Sequence, residues 1–257
     1  KNRASNASIE AIGGTVHVHY AENSSIIGDT VTIEHAINCE VMAKQLTIGL
    51  AQGCFLAAES ANIGTSGDRK GSATTVSVLI PDTADAIRQA SALTTVIAEF
   101  DRLTLAKTAE MDKLKSNPEL AKFLSIGQMV RSGKITVSPA LEQNFKLLQH
   151  KYAGALKVLD KLSHEKQGLK ASADSKRHEL AQLKEAQTAA AAGRGCTIRE
   201  VVGETCVQQL RTNLGLTNFS GSTGNELSKT LRAAAATPVR IFLDDKGSVD
   251  WHYAASK

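Results

Sequence analysis

The sequence predicts a mixed fold: a right-handed parallel β-helix interrupted by a long antiparallel α-helical coiled-coil hairpin. Three observations predict it. Apolar residues recur at a period of 15 between residues 11 and 78. Inside each repeat the apolar and polar residues alternate, as in a strand with one buried face. From 84 to 187 the period changes to about 3.5 in two arms of nearly equal length, which is a heptad rhythm. The expected divisions are 8–80 for the β-helix, 84–187 for the antiparallel coiled-coil hairpin, and 195–257 for resumed β-helix turns and a C-terminal cap.

The repeat is read in columns. Val18, Ile33, Ile48, Ile63 and Val78 form one, and Val16, Val31, Leu46, Ala61 and Val76 a second. A third reads Ala11, Ile26, Val41, Leu56, and a fourth Gly13, Gly28, Ala43, Ala58. His17, Thr32, Thr47, Asn62 and Ser77 lie between the apolar columns and point outward by alternation. Fixed-period self-similarity without intervening helices indicates stacked turns, about 4.8 Å apart. Parallel crossovers are overwhelmingly right-handed, which sets the hand. The Gly/Ala column suits a tight corner, where a larger side chain has no room. Residues 64–71 read as a loop interrupting the fifth turn.

Ile80-Pro81-Asp82 ends this region, and Asp82 or Thr83 can cap a helix beginning near Ala84. The outbound arm, 84–131, carries Leu93, Ile97, Phe100, Thr104, Lys107, Met111 and Leu114 in steps of 4 and 3. Asn117-Pro118 is a break, with Asn117 as cap and Pro118 at the first helical position. Gly133 is the expected stop. The return arm, 139–187, holds the same rhythm from Leu141 through Phe145, Leu148, Tyr152, Leu159 and Leu169 to Leu183, with Lys166 and Lys176 on the seam. At 1.5 Å per residue such a hairpin is about 70 Å long. Cys196 to Val202 and Cys206 to Leu210 then read as strands resuming the stack left at Val78. Residues 218–225 form a Gly/Ser loop, 226–236 a short helix, and 239–253 a closing β-hairpin.

Composition excludes several function classes. No apolar run approaches 18 residues, so no transmembrane helix and no membrane insertion are expected. No signal peptide is expected; the chain begins at Lys1 without Met and enters the repeat within about ten residues, so a fragment of something longer is expected. The net charge of +4 is a weak signal for nucleic acid, and the lysines of the return arm are interleaved with Glu and Asp. Cys39 and Cys54 stand one period apart and are expected as small buried neighbours, reduced in a cytoplasm.

Sites of chemistry are sparse. His17-x-His19 with His35 is the best metal candidate, and His19 is one period from Glu34, but a third ligand is not assured. Residues 64–71 are glycine-rich yet lack the phosphate-loop pattern and do not open a helix. His150, His164 and His178 lie on one helix face too far apart for one site. No Ser/His/Asp or Cys/His set can be assembled. No catalytic, cofactor-binding or metal residue is assigned, no cofactor is expected, and the chain is read as non-enzymatic.

The run Asn6-Ala7-Ser8-Ile9-Glu10-Ala11, the run Ser25-Ile26-Ile27-Gly28-Asp29-Thr30-Val31, Ala61-Asn62-Ile63-Gly64-Thr65 and Thr74-Thr75-Val76-Ser77-Val78 resemble the flagellar assembly protein A family, in its C-terminal β-helix and coiled-coil region. The likeness covers residues 6–80 and, more loosely, 196–253. It implies a cytoplasmic bacterial scaffold or adaptor that acts in flagellar assembly or polar localisation through protein–protein interaction, placed at the cell pole. The implied partners are components of sugar-phosphotransferase signalling or flagellar placement proteins, with homo-oligomerisation open. The alternative is a self-polymerising cytoskeletal β-helix similar to bactofilins and the division inhibitor MinC. A polysaccharide-acting β-helix enzyme ranks third, since paired acids are scarce.

Overall fold

The computed structural model describes residues 2–132, 139–221, 226–234 and 237–254. The expected stop at Gly133, the seam side chain of Leu141 and the 222–225 part of the Gly/Ser loop lie outside the described residues. The chain forms two compact units, residues 1–84 with 186–257 and residues 85–185.

The first unit is one ten-stranded, mostly parallel sheet. Its strands are β1 (Arg3–Ser5), β2 (Ser8–Glu22), β3 (Ser25–Ile37), β4 (Glu40–Gln52), β5 (Phe55–Gly67), β6 (Thr74–Ile80), β7 (Gly195–Val201), β8 (Thr205–Arg211), β9 (Val239–Asp244) and β10 (Gly247–His252). Val18, Ile33, Ile48, Ile63 and Ile198 stand side by side, as do Val16, Val31, Leu46, Ala61 and Cys196. All ten are buried in one core, and each large member contributes about 1.5–3 kcal/mol. Two outward residues in succession, Asp29-Thr30 and Glu34-His35 in β3, shift the phase of alternation. Ile26, Val31, Ile33 and Ala36 therefore all reach the same core from one strand.

The fifth member of the first two columns is corrected. A tight turn, with Arg69 and Ser72 exchanging backbone hydrogen bonds at 2.9 Å, replaces the expected eight-residue loop. It lengthens that repeat, so Val76 stands beside Leu56 and Val78 beside Ala58. Ile9, not Ala11, aligns with Ile26, because the register of β2 shifts between Ala11 and Thr15. Consequently β6 pairs with the first half of β5, and β7 pairs with its second half. The returning chain at Cys196 thus resumes beside Ala61 rather than beside Val78, and β8 is the strand that pairs with β6. The expected closing β-hairpin is also corrected: β9 pairs antiparallel with β8 and β10 with β7.

Corners are built by left-handed residues. Asn23, Asn38 and Gly53 follow one another at the repeat with φ of 47°, 50° and 64°. After each comes a small residue with a hydroxyl or thiol: Ser24, Cys39, Cys54. Ser24 Oγ accepts from Ala7 N at 3.2 Å, Cys54 Sγ from Cys39 N at 3.5 Å, and Thr74 Oγ1 from Cys54 N at 3.3 Å. Each group donates back to a carbonyl: Ser24 to Glu22, Cys39 to Ile37, Thr74 to Gly67. The column satisfies backbone groups that would otherwise be buried and unpaired.

A second core lies on the opposite side of the same strands. Ile27, Met42 and Ala57 face outward and are covered by Leu216, Phe219, Leu227 and Leu231. These come from a 3-10 turn (Leu216–Phe219) and from α5 (Glu226–Ala234). Two carboxylates fasten this strap: Ser220 Oγ donates to Glu10 at 2.6 Å, and Ser228 Oγ to Glu40 at 2.8 Å.

The second unit holds α1 (Ala84–Lys115), α2 (Pro118–Arg131), α3 (Pro139–Lys151) and α4 (Ala153–Ala191), which extend slightly beyond it. The expectation of a right-handed parallel β-helix interrupted by a coiled-coil hairpin is therefore corrected. The architecture is a mixed α/β fold, with ten strands in one sheet and five helices among the described residues, and the terms parallel β-helix and coiled coil do not describe it. The physical reason lies in the seam. Neither arm is one continuous helix, α1 buries no residue, and α1 and α4 come within 8 Å at isolated points at most among the described residues. Lys107 sits on the seam but reaches Glu165 at 2.9 Å, and Lys176 reaches Glu179 at 2.6 Å, so both act as solvated ion-pair partners rather than interlocking knobs. The apolar cluster of these helices gathers around Leu120, Phe123, Tyr152 and Leu159, and Leu162 and Ala173 of α4 are buried as well. Asn117 caps α2 as expected, accepting from Glu119 N at 3.0 Å and Leu120 N at 3.2 Å.

Candidate functional site

The outward polar row crosses six strands: His17, Thr32, Thr47, Asn62, Thr197 and Asp250 are register neighbours. Beside it runs a second row, the residue following each buried isoleucine: Glu34, Gly49, Gly64 and Arg199. Glycine is needed at its centre, because a Cβ on Gly49 would lie 2.6 Å from the Glu34 carbonyl and one on Gly64 2.5 Å from the Gly49 carbonyl. Close stacking thus leaves a gap in the side-chain cover. The gap is a recess of about 380 Å3 floored by Gly49 and Gly64, with Thr47, Asn62, Thr65, Arg199 and Glu200 around it. Among the described residues these five side chains enter no hydrogen bond or ion pair with the protein.

The histidines stand at the β2–β3 end of the same two rows. His19 Nδ1 lies 2.5 Å from Glu34 Oε2, and that bond holds the Glu34 carboxyl below its ordinary range. The His19 and His35 rings sit 6.1 Å apart, edge to face. No group of three His, Cys, Asp or Glu side chains converges on a point where a metal could bind, among the described residues. His17, His19 and His35 form an open polar edge, with His19 tied to a carboxylate.

The other sites weighed from sequence are placed as follows. Arg69 of the 64–71 segment donates to Gln52 at 3.4 Å and Lys70 has φ of 51°, so this is a strand end and a turn, not a cradle. Cys39, Cys54 and Cys196 are buried free thiols, and burial pushes Cys196 up to about 12. The basic residues of α3 and α4 are largely neutralised locally: Lys146 by Glu142, Lys151 by Glu119, Arg177 by Asp101 and Asp174. No described helix is long and apolar enough to cross a membrane.

Arg199 and Glu200 were not singled out by sequence reasoning. The signal existed: an Ile-Gly step at 48–49 and again at 63–64, one repeat apart, followed by Ile198-Arg199 once the third strand of that column is known. The strand identity came only from register. The parallel β-helix and coiled-coil architecture implied by the flagellar assembly resemblance is not the architecture of the chain. No family model, no curated protein and no solved structure matches the chain, and the flagellar reading therefore has no relative in its support.

Proposed function

We propose that this chain is a non-enzymatic adaptor whose helical unit presents a protein-binding face. The observation that supports this reading is the apolar content of α1 left in solvent. None of its 32 residues is buried, and Ile87 and Leu105 are 60% and 70% exposed. Ile87, Ala98 and Leu105 share one flank at helical spacing, while Val96, 40% exposed, lies on the opposite flank. Exposed apolar residues gathered on one face mark interaction sites more often than scattered ones do.

The test places a photo-crosslinking amino acid at Leu105 in the full chain, expressed in cells. A protein adduct is expected there, identified by mass spectrometry, and lost when Ile87→Arg is added. The adduct's identity then names the partner. Absence of an adduct at Leu105, or an adduct unaffected by Ile87→Arg, would count against an adaptor face on α1.

A further inference from the structure

We propose that the recess over Gly49 and Gly64 is a binding site for a neutral linear glycan. The inference goes beyond the adaptor reading and rests on the other unit of the chain, so either can fail alone. It stands on the walls of the recess. Thr47, Asn62 and Thr65 offer hydroxyl and amide groups that both donate and accept. Arg199 adds a planar fork of donors and Glu200 a pair of acceptors, and none of the five is engaged by the protein among the described residues.

That lining selects by elimination. One cation and one anion cancel, so a phosphate or polyacid gains no net attraction. Among the described residues no aromatic ring lines the recess, so a nucleobase has nothing to stack on there. Its volume of about 380 Å3 is near the lower bound for small-molecule sites, and the polar walls are poorly matched to an apolar ligand. A sugar ring presents alternating donors and acceptors around its rim and carbon-bound hydrogens on its faces. The rim matches the walls, and a face can lie on the two glycine Cα positions. Neighbouring strands repeat at about 4.8 Å, so a chain of rings laid across β4, β5 and β7 meets an equivalent polar position at each strand. Strand stacking alone requires the two glycines.

The test uses the full chain, labelled with 15N, titrated with three soluble linear tetrasaccharides: cellotetraose, maltotetraose and chitotetraose. A Gly-Ser-Gly-Ser tetrapeptide serves as the competing class. Amide shifts centred on Thr47, Gly49, Asn62, Gly64 and Thr65 are expected with at least one sugar, with a Kd on the order of 1 mM. The doubly substituted Asn62→Ala/Arg199→Ala protein should bind at least about fivefold more weakly, with its remaining amide spectrum unchanged. Three results would overturn the proposal: no shifts with any sugar at about 20 mM, equal affinity in the double variant, or shifts produced by the tetrapeptide and not by the sugars.

Discussion

At the scale of single residues, the column Ser24, Cys39, Cys54 and Thr74 explains why thiols and hydroxyls interchange at one position. What the corner needs is a small side chain that accepts from the preceding repeat's N–H and donates to a nearby carbonyl. Cys54→Ser should therefore be close to neutral. Cys54→Val fills similar space but leaves Cys39 N–H unpaired, and should cost about 1–3 kcal/mol in urea unfolding. Glycines divide in the same way. Gly49→Ala drives a Cβ against the Glu34 carbonyl and should destabilise by about 1–3 kcal/mol. Gly168→Ala, inside α4 with nothing within 4 Å, should stabilise its helix by about 0.5–1 kcal/mol, so the two changes differ in sign. The sequence made the Cys39/Cys54 column legible, because both members are spaced by 15. It did not reveal that Ser24 and Thr74 belong to the column, since the chemistry they share is a hydrogen bond rather than hydrophobicity, and Thr74 lies 20 residues after Cys54.

At the scale of elements, the strap shows how the outward face of a strand can be made apolar without being exposed. Ile27, Met42 and Ala57 would read as an alternation error on a solvated face; Phe219, Leu227 and Leu231 remove the error by covering them. Phe219→Ala should cost about 3–5 kcal/mol and expose the Ile27 row to hydrogen exchange, whereas Leu105→Ala on α1 should stay within about 0.5 kcal/mol. The fastening at Glu10 is also pH-dependent. Its hydrogen bond from Ser220, then that from Gly221 N, hold the Glu10 carboxyl below its ordinary 4.5. Since the folded value is depressed, the contribution is complete above pH 4.5 and is lost as the pH falls through the lower, folded value. Protection factors of the amides near Phe219, referred to the intrinsic rate at each pH, should fall in that acid window, and the fall should be absent in Glu10→Ala. The α-helices were legible as helices from their 3.5 rhythm, and the Asn117 cap from the Asn-Pro pair. Their failure to interlock was not, because periodicity records which residues share a face but not whether Thr104, Lys107 and Lys176 can fill a partner's holes.

At the scale of the whole molecule, two compact units predict two unfolding transitions. Calorimetry should resolve them, and Lys151→Ala or Phe123→Ala should shift only the one belonging to residues 85–185. The 15-residue repeat and the 3.5-residue rhythm reveal the strands and the inserted helices from sequence, yet they place the returning chain half a strand from where it rejoins. The cause is the Arg69–Ser72 turn: five additional residues move β6 to the front half of β5 and leave the rear half, Ser60 to Ser66, for β7. That split strand position has a kinetic consequence. β5 can be covered along its rear half only after the chain has travelled from Ile80 round to Gly195, so from the sheet's side everything between is a loop to be closed. Closure entropy grows with the logarithm of loop length, about 0.6 kcal/mol per doubling. Replacing residues 85–185 with flexible linkers of roughly 15 or 30 residues should therefore give sheets of nearly equal stability. Their refolding should be faster than that of the parent, because contacts such as Ser66 with Thr205, now 139 residues apart, become local. The corner between Ile80 and Gly195 is in this sense a socket, a position at which the sheet tolerates a large body of sequence at little thermodynamic cost.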